Sequence, residues 1–296
     1  MRKTILSTAD VARLFDVTET TVKRWADCGT LKCQKTPGGH RKFEIRFIME
    51  FAETNRFEPV GVLSLPESDG LGPAIQFAVL RRDFPPLVDA FVEKALSREA
   101  GTLASFFSYL YEHRIPLCDI YDRVLAPGMG VIGERWSRGE IGVDQEHSAT
   151  YQSLDAIALL QRLIFTHPPV GKSAICACLD GEAHELGLRC ASNIFESAGW
   201  TSYYFGARTP HDALIRAIGR LRPNVVTISM TWHQPESPAD PHLEEVATAS
   251  RAVGAQLVLG GKGAPRGTSG ESLCDAVLNS SKELLAFIEV SDQRKL

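Results

Sequence analysis

The sequence has no long apolar run, few cysteines and no repeated or low-complexity segment. No window approaches the about 18 consecutive apolar residues of a membrane-spanning helix, and the N-terminus reaches Asp10 before any such stretch. We therefore expect neither a membrane span nor a secretory leader. Seven cysteines scattered along 296 residues argue against a disulfide scaffold. A cytoplasmic protein is expected.

Patterns typical of enzymes are also missing. The sequence shows no nucleophile with a partner base and no carboxylate pair placed for acid–base chemistry. The stretch 260–263 (GGKG) resembles a phosphate loop but lacks its spacing and the Ser or Thr after the lysine. Cys176 and Cys178 share one face of a predicted strand, which favours a core pair over a metal site. We predict that the chain is not an enzyme.

Charge is unevenly distributed along the chain. Residues 1–43 hold nine Lys or Arg against four Asp or Glu, a balance of +5. Because the whole chain carries −4, the remainder carries −9. We call residues 1–43 and the rest of their domain the head. Its positive charge predicts that the head binds a polyanion and that the acidic remainder of the chain does not.

The chain divides into three segments that differ in the spacing of their apolar residues, which predicts a multidomain α plus α/β fold. Residues 1–56 are rich in turn-forming residues, and 57–73 form a Pro- and Gly-containing linker. Residues 74–165 show helical spacing with breaks at Pro85-Pro86, Gly101, Pro116 and Pro127-Gly128, which predicts a four-helix bundle. Residues 172–292 alternate short apolar runs with amphipathic helices, which predicts a Rossmann-like open parallel sheet. Its ligands should lie after the strands that end at Leu179, Met230 and Leu259.

The basic head has the pattern of a winged helix-turn-helix. Ser7–Asp10 caps a first helix, Thr18 caps a second over 19–26, and a hairpin with a Pro-Gly-Gly turn follows. We expect the head to bind double-stranded DNA, because a short exposed helix reads base edges and a basic wing grips phosphates. The predicted contacts are Thr20, Thr21, Lys23, Arg24, Lys35, His40, Arg41 and Lys42. The segment, above all TPGGHRKF at 36–43, resembles the excisionase-like or BldC-like form of the MerR superfamily.

The first sheet strand is followed by a loop with a histidine, Asp180 to Gly187. A histidine at this place can offer a ring nitrogen to a metal, and Glu182 can orient it by bonding the other nitrogen. Gly187 allows a bulky group to lie close to the next helix. These residues alone leave a ligand role and an ordinary surface histidine both open.

The order Glu-x-His-x-x-Gly, then Ser, then Gly-Gly is similar to the cobalamin-binding domain. In this sequence the motif is Glu182, His184 and Gly187, followed by Ser229 and then Gly260-Gly261. The resemblance implies that His184 is the lower axial ligand of cobalt, and that Ser229 and the Gly pair line the slot for the nucleotide tail. Glu182 replaces the usual Asp, and Thr231 replaces a usual Leu.

A Trp-x9-Glu-His motif lies in the helical segment at Trp136, Glu146 and His147. It resembles the CarH/LitR-type regulators, in which the helical bundle caps bound adenosylcobalamin and the Trp packs on the adenosyl group. Members of that family carry a His after the Trp, which becomes the upper ligand in light; this chain has Ser137. Water, His147 or His233 stay open for that position.

The resemblance implies a light-responsive transcriptional regulator, a repressor, that uses adenosylcobalamin and binds its operator as a homo-oligomer, a tetramer in the dark. One alternative is a sensor of cobalamin or another tetrapyrrole, such as haem, without photochemistry. Others are a corrinoid methyl carrier and a ligand-free protein that uses the fold for protein contacts.

Overall fold

The computed structural model describes residues 5–15, 17–55, 71–97, 101–164, 166–231, 241–264 and 273–293. Its contacts divide the chain into two compact units, Met1–Ala90 and Phe91–Leu296. Most of the predicted linker 57–73 lies outside the described residues, as does His233. No helix in these ranges is both long enough and apolar enough to span a bilayer.

The first unit begins with the predicted winged helix-turn-helix. Its elements are β1 (Ile5–Ser7), α1 (Thr8–Leu14), α2 (Glu19–Asp27), β2 (Gln34–Lys35), β3 (Arg41–Glu44) and α3 (Ile45–Asn55). The strands form an antiparallel sheet in the order β1-β3-β2. Val22 and Leu31 are buried in its core, and Trp25 packs on Phe51 with ring centroids 4.7 Å apart. Strand β1 and helix α3 were not predicted.

Helices fill the middle of the chain. They are α4 (Pro73–Arg81), α5 (Phe84–Leu96), α6 (Thr102–Glu112), α7 (Leu117–Ile120), α8 (Ala126–Ser137) and α9 (Val143–Gln161). The predicted breaks near Pro85, Gly101 and Pro116 are confirmed, but the break at Pro127-Gly128 was wrong. A π-helical turn, Tyr121–Leu125, joins α7 to α8 without interruption. The π-helical turn shifts the hydrogen-bond register, with the Ala126 N–H bonding the Tyr121 carbonyl, so the helix accommodates Pro127, which has no N–H to donate.

The second unit ends in a parallel five-stranded sheet flanked by helices. Its strands are β4 (Ser173–Leu179), β5 (Thr201–Thr209), β6 (Val225–Ser229), β7 (Gln256–Gly260) and β8 (Ala276–Leu278), in the order β5-β4-β6-β7-β8. Helices α10 (Leu186–Ser197), α11 (His211–Leu221), α12 (Pro241–Val253) and α13 (Ser281–Gln293) connect and follow them. The predicted doubly wound sheet is confirmed.

Two details of the sheet differ from the sequence prediction: strand β8 was not predicted, and β5 is longer than predicted. The sequence pattern predicts this strand over Ser202–Phe205, but β5 runs on to Thr209 past a register shift at Gly206, whose φ is +79°. A glycine bulge thus lies where a strand end was expected. The strand order reverses between β4 and β6, so the crevice at their carboxyl ends is where a ligand is expected in such a sheet.

Candidate functional site

The loop after β4 is fixed around the carboxylate of Glu182. Its Oε1 accepts hydrogen bonds from the backbone N–H of His184 at 2.8 Å and contacts His184 Nδ1 at 2.6 Å. Its Oε2 accepts the N–H of Thr231, after β6, at 2.6 Å. Glu182 is buried, whereas the His184 side chain is 56 % exposed. The site therefore presents an imidazole whose Nδ1 is bonded to a carboxylate and whose ring faces outward, the arrangement that orients a metal-ligating histidine.

Glu185, which sequence reasoning missed, ties the same loop to β5. Its Oε2 accepts hydrogen bonds from the Tyr204 hydroxyl at 2.7 Å and from the Ala207 backbone at 3.1 Å. A Cβ at Gly206 would lie 2.8 Å from this oxygen, so the glycine bulge allows the approach. Burial and the Glu185 hydrogen bond raise the pKa of Tyr204, which keeps the phenol protonated as the donor. The loop bearing His184 is thus held at both ends.

A cavity of about 300 Å³ opens beside this loop. It lies between the π-helical turn, α10, the ends of β6 and β7, and the start of α13. The sequence-predicted residues Gly187, Ser229, Gly260 and Gly261 all line it. Its other walls are mostly apolar, formed by side chains such as Leu125, Leu188, Val258, Leu259 and Leu278.

The backbone conformation at residue 261, which lines the cavity, requires a glycine. Its φ is +96°, and a Cβ there would lie 2.2 Å from the Met230 carbonyl oxygen. Gly187 is less constrained, because a Cβ there would meet only Ser229 Oγ, at 3.9 Å. The Gly260-Gly261 pair therefore lets β6 and β7 end in close contact.

Thr227 adds a hydroxyl that the motif did not indicate. It lies two residues before Ser229 on β6, is 5 % exposed and lines the cavity. Its Oγ1 has no hydrogen-bond partner within the part of the chain that the structure describes. A buried hydroxyl without a partner at a cavity wall is a ready contact for a ligand nitrogen or oxygen.

The π-helical turn joins the helical segment to the sheet at this cavity. Asp122 accepts the backbone N–H groups of Ser281 and Lys282 at 2.8 and 3.0 Å, and so caps α13. Tyr121 accepts a hydrogen bond from Asn193 Nδ2 on α10 at 2.8 Å. Both residues line the cavity, and π-helical turns are frequent at functional sites.

Trp136 lies at the end of α8, and Glu146 and His147 lie near the start of α9. Trp136 is 49 % exposed, and His147 Nε2 lies 3.6 Å from Glu146 Oε2. Glu146 also accepts the hydroxyl of Thr150 at 3.1 Å. None of the three is among the described residues that line the cavity. The Ser137 hydroxyl is bonded to the Glu134 carbonyl at 2.8 Å.

The two buried strand cysteines fit the core interpretation. Cys176 and Cys178 are fully buried, and burial raises the pKa of each thiol to about 12. Protonated thiols are poor metal ligands.

In the head, side-chain caps set both helices of the motif. Ser7 and Asp10 exchange hydrogen bonds at 2.9 and 3.2 Å, and Thr18 Oγ1 accepts the N–H of Thr21. The wing turn closes with the Thr36 N–H donating to the His40 carbonyl at 2.9 Å. The predicted contacts are mostly solvent-exposed: Thr20, Lys23, Arg24, Lys35, His40 and Lys42.

Arg41 is placed differently from the other predicted contacts. Its side chain is only 17 % exposed and bonds both carboxylate oxygens of Asp27 at 2.6 and 2.8 Å. Lys35 lies 3.5 Å from the same carboxylate. Arg41 therefore joins the wing to the end of α2.

Comparisons with protein families agree with this layout. Two models described as "B12 binding domain" match residues 172–279 and 87–161. A model described as "Helix-turn-helix domain" matches residues 5–56. The matches follow the same order as the three segments of the sequence.

Two curated relatives come from Myxococcus xanthus. The chain is 27% identical to "HTH-type transcriptional repressor CarH" over 213 residues, which is 68% of this chain and 70% of that protein. It is 33% identical to "HTH-type transcriptional repressor CarA" over 120 residues, 40% of this chain and 41% of that protein.

A solved structure shares the fold of a large part of this chain. The Methanosarcina barkeri monomethylamine corrinoid protein aligns with a TM-score of 0.56 and 14% identity, covering 68% of this chain and 96% of that one. At this identity the likeness shows the fold alone.

The residues at the cavity fit the group that the family models name. The carboxylate-bound imidazole of His184, the close-packed glycine pair and the unbonded Thr227 hydroxyl supply a metal donor, room and a polar contact. The matched domains, their order and the likeness to both relatives support a CarH-type cobalamin-binding transcriptional regulator.

Proposed function

We propose that this chain is a cobalamin-dependent, light-responsive transcriptional repressor with adenosylcobalamin as its chromophore. The observation that supports it is the Glu182–His184 pair beside a cavity lined by Ser229, Gly260 and Gly261. The same chain carries an exposed basic helix-turn-helix. A cofactor site and a DNA-binding domain in one chain support a regulator of transcription, which we expect to be cytoplasmic.

Each residue of the lower site has a role in the proposal. His184 coordinates cobalt through Nε2, because Nδ1 is engaged by Glu182. Glu182 raises the basicity of the imidazole and fixes its orientation. Ser229 and the Gly260-Gly261 pair hold the nucleotide tail in the cavity, where Thr227 offers a further hydroxyl.

The helical segment supplies the response. When bound, adenosylcobalamin supplies a cobalt–carbon bond that green light breaks. Trp136, with Glu146 and His147, would hold the adenosyl side of the cofactor, and the packing of the helices would then depend on that group. A ligand biases two states only through its different contacts with them, and Trp136 provides such a contact.

The head binds operator DNA, and oligomerisation of the chain increases the apparent affinity for that DNA. The exposed residues of α2 read base edges, and the wing residues Lys35, His40, Arg41 and Lys42 lie along the backbone. In the dark the chain forms a homo-oligomer, a tetramer, so that several heads bind linked sites at once. Loss of the adenosyl group loosens the oligomer and releases the DNA.

The test is an absorbance spectrum of desalted protein after dark incubation with adenosylcobalamin, repeated after green illumination. A bound alkylcobalamin spectrum that converts in light, together with loss of DNA retardation, is the expected result. A protein that retains no corrinoid would contradict the assignment of His184.

Ser137 favours a second candidate, a sensor of cobalamin without photochemistry. Its hydroxyl is bonded within α8 and offers no imidazole for the upper side of cobalt. A bound spectrum that light leaves unchanged, with DNA affinity that depends on the corrinoid, would favour this function.

A further inference from the structure

A second group of metal-binding side chains lies at the carboxyl edge of the sheet, apart from the cavity. Asp180 is the first residue after β4, His211 the first of α11, and His242 the second of α12. One donor atom of each lies within 4.8 Å of the others. None of the three is among the residues that line the cavity.

The geometry of this group, the Asp180 cluster, is compact. His211 Nδ1 lies 3.0 Å from Asp180 Oδ2, and the rings of His211 and His242 lie face to face with centroids 3.6 Å apart. Glu245, one turn into α12, places Oε2 3.8 Å from His211 Nε2. Three separate elements thus bring two imidazoles and two carboxylates together.

Helix capping accounts for only one of these contacts. Asp180 Oδ2 also accepts the backbone N–H of His211 at 3.1 Å, which caps α11. Capping requires neither a second imidazole from α12 against the first nor a carboxylate on its far side. Glu245 is close enough to pair with a protonated His211, but neither capping nor that ion pair requires the imidazole of His242 against the first.

We propose that Asp180, His211 and His242 form a site for a divalent transition-metal ion, with Zn²⁺ the preferred ion. Imidazole nitrogens and a carboxylate oxygen are the donors that Zn²⁺ takes at bond lengths of about 2.0–2.2 Å. Tetrahedral donors then stand roughly 3.4 Å apart, so metal binding requires the stacked rings of His211 and His242 to turn until a nitrogen of each faces the ion. Partial exposure leaves a coordination position for water or for Glu245.

A metal here would fix the start of the cofactor loop. Asp180 lies two residues before Glu182, and the ion would join the end of β4 to the starts of α11 and α12. The site is independent of the proposed cobalamin function, because it uses neither His184 nor the cavity.

The test uses the full chain, free of cobalamin and stripped with a chelator, titrated with Zn²⁺ against a chromogenic chelator. We expect one tight equivalent in the wild type and affinity more than about tenfold weaker in H211A, H242A and D180N. The matched control is H40A, which removes an exposed imidazole in the other unit. Zn²⁺ should also raise the unfolding midpoint of the wild type and of H40A, and not those of the three variants.

Two results would overturn the site. One is a wild type that binds no Zn²⁺ tightly. The other is binding that the three substitutions leave unchanged, which would place the ion elsewhere, for example at the exposed thiol of Cys28. Three separate variants, each checked for its unfolding midpoint without metal, keep the test informative if one fails to fold.

Discussion

Glu182 connects His184 to Thr231 by using both oxygens of one carboxylate. One oxygen bonds the ring and backbone of His184 at 2.6 and 2.8 Å, and the other bonds the Thr231 N–H at 2.6 Å. The orientation of the imidazole is therefore coupled to the ends of two neighbouring strands, β4 and β6. This coupling makes Glu182 a positioning residue for the proposed cobalt ligand.

We expect E182Q to weaken cobalamin binding by about 10- to 100-fold, because a neutral amide polarises the imidazole less and holds it less firmly. H184A should remove the protein nitrogen from cobalt and change the absorbance spectrum of any corrinoid that stays bound. Spectral titration with cobalamin measures both effects, with H40A as the control. An E182Q protein with wild-type affinity and spectrum would refute the positioning role.

The G261A substitution should disrupt the cofactor site by forcing the backbone at residue 261 to move. The left-handed φ of +96° and the 2.2 Å approach to the Met230 carbonyl both oppose a side chain, so we expect destabilisation of at least about 2 kcal/mol and loss of cofactor retention. G219A is the matched control, since Gly219 lies within α11 with nothing near its Cβ position. That change should be neutral or stabilising by up to about 1 kcal/mol. Urea unfolding of both variants measures these changes in stability.

Local sequence patterns predicted most of the elements but not the contacts that join them. The continuous apolar run of a fully buried strand predicts β4 over Ser173–Leu179, and regular apolar spacing predicts α11 over His211–Leu221; the structure has both with these bounds. The Asp122 cap of α13 and the Glu185–Tyr204 bond join residues far apart in sequence, and nothing in the local pattern marks them. The glycine bulge at Gly206 looked like a strand end for the same reason.

T227V should raise the stability of the cobalamin-free protein and lower its affinity for cobalamin. Valine keeps the β-branched shape but removes a buried hydroxyl without a partner, so the cobalamin-free protein should be more stable by on the order of 1 kcal/mol. Cobalamin affinity should fall several-fold, because the tail loses a hydrogen bond in the cavity. T201V, at an exposed position on β5, is the control for a Thr-to-Val change in this sheet. Unchanged affinity would remove Thr227 from the site.

D27N should change the acid stability of the head. The Arg41 hydrogen bond lowers the pKa of Asp27, so the pair contributes stability that is present above the ordinary carboxyl pKa of 3.8 and is lost as pH falls through the lower, folded value. Wild type and D27N should therefore differ in unfolding midpoint at neutral pH and converge in acid. Thermal unfolding of both proteins across this range measures the difference. A difference that persists unchanged into acid would contradict the ion-pair explanation.

W136A separates folding from the proposed response. Because Trp136 is 49 % exposed, its loss should change the stability of the cobalamin-free chain by no more than about 0.5 kcal/mol. In the dark with adenosylcobalamin, however, the variant should assemble less and release the cofactor faster, since the contact that distinguishes the two states is gone. Size-exclusion chromatography with light scattering reports the assembly, and Y151A, which removes a more exposed aromatic from α9, is the matched control. If W136A binds the cofactor and assembles in the dark like the control, Trp136 does not couple the adenosyl group to the oligomer, and the helical segment must respond through another contact.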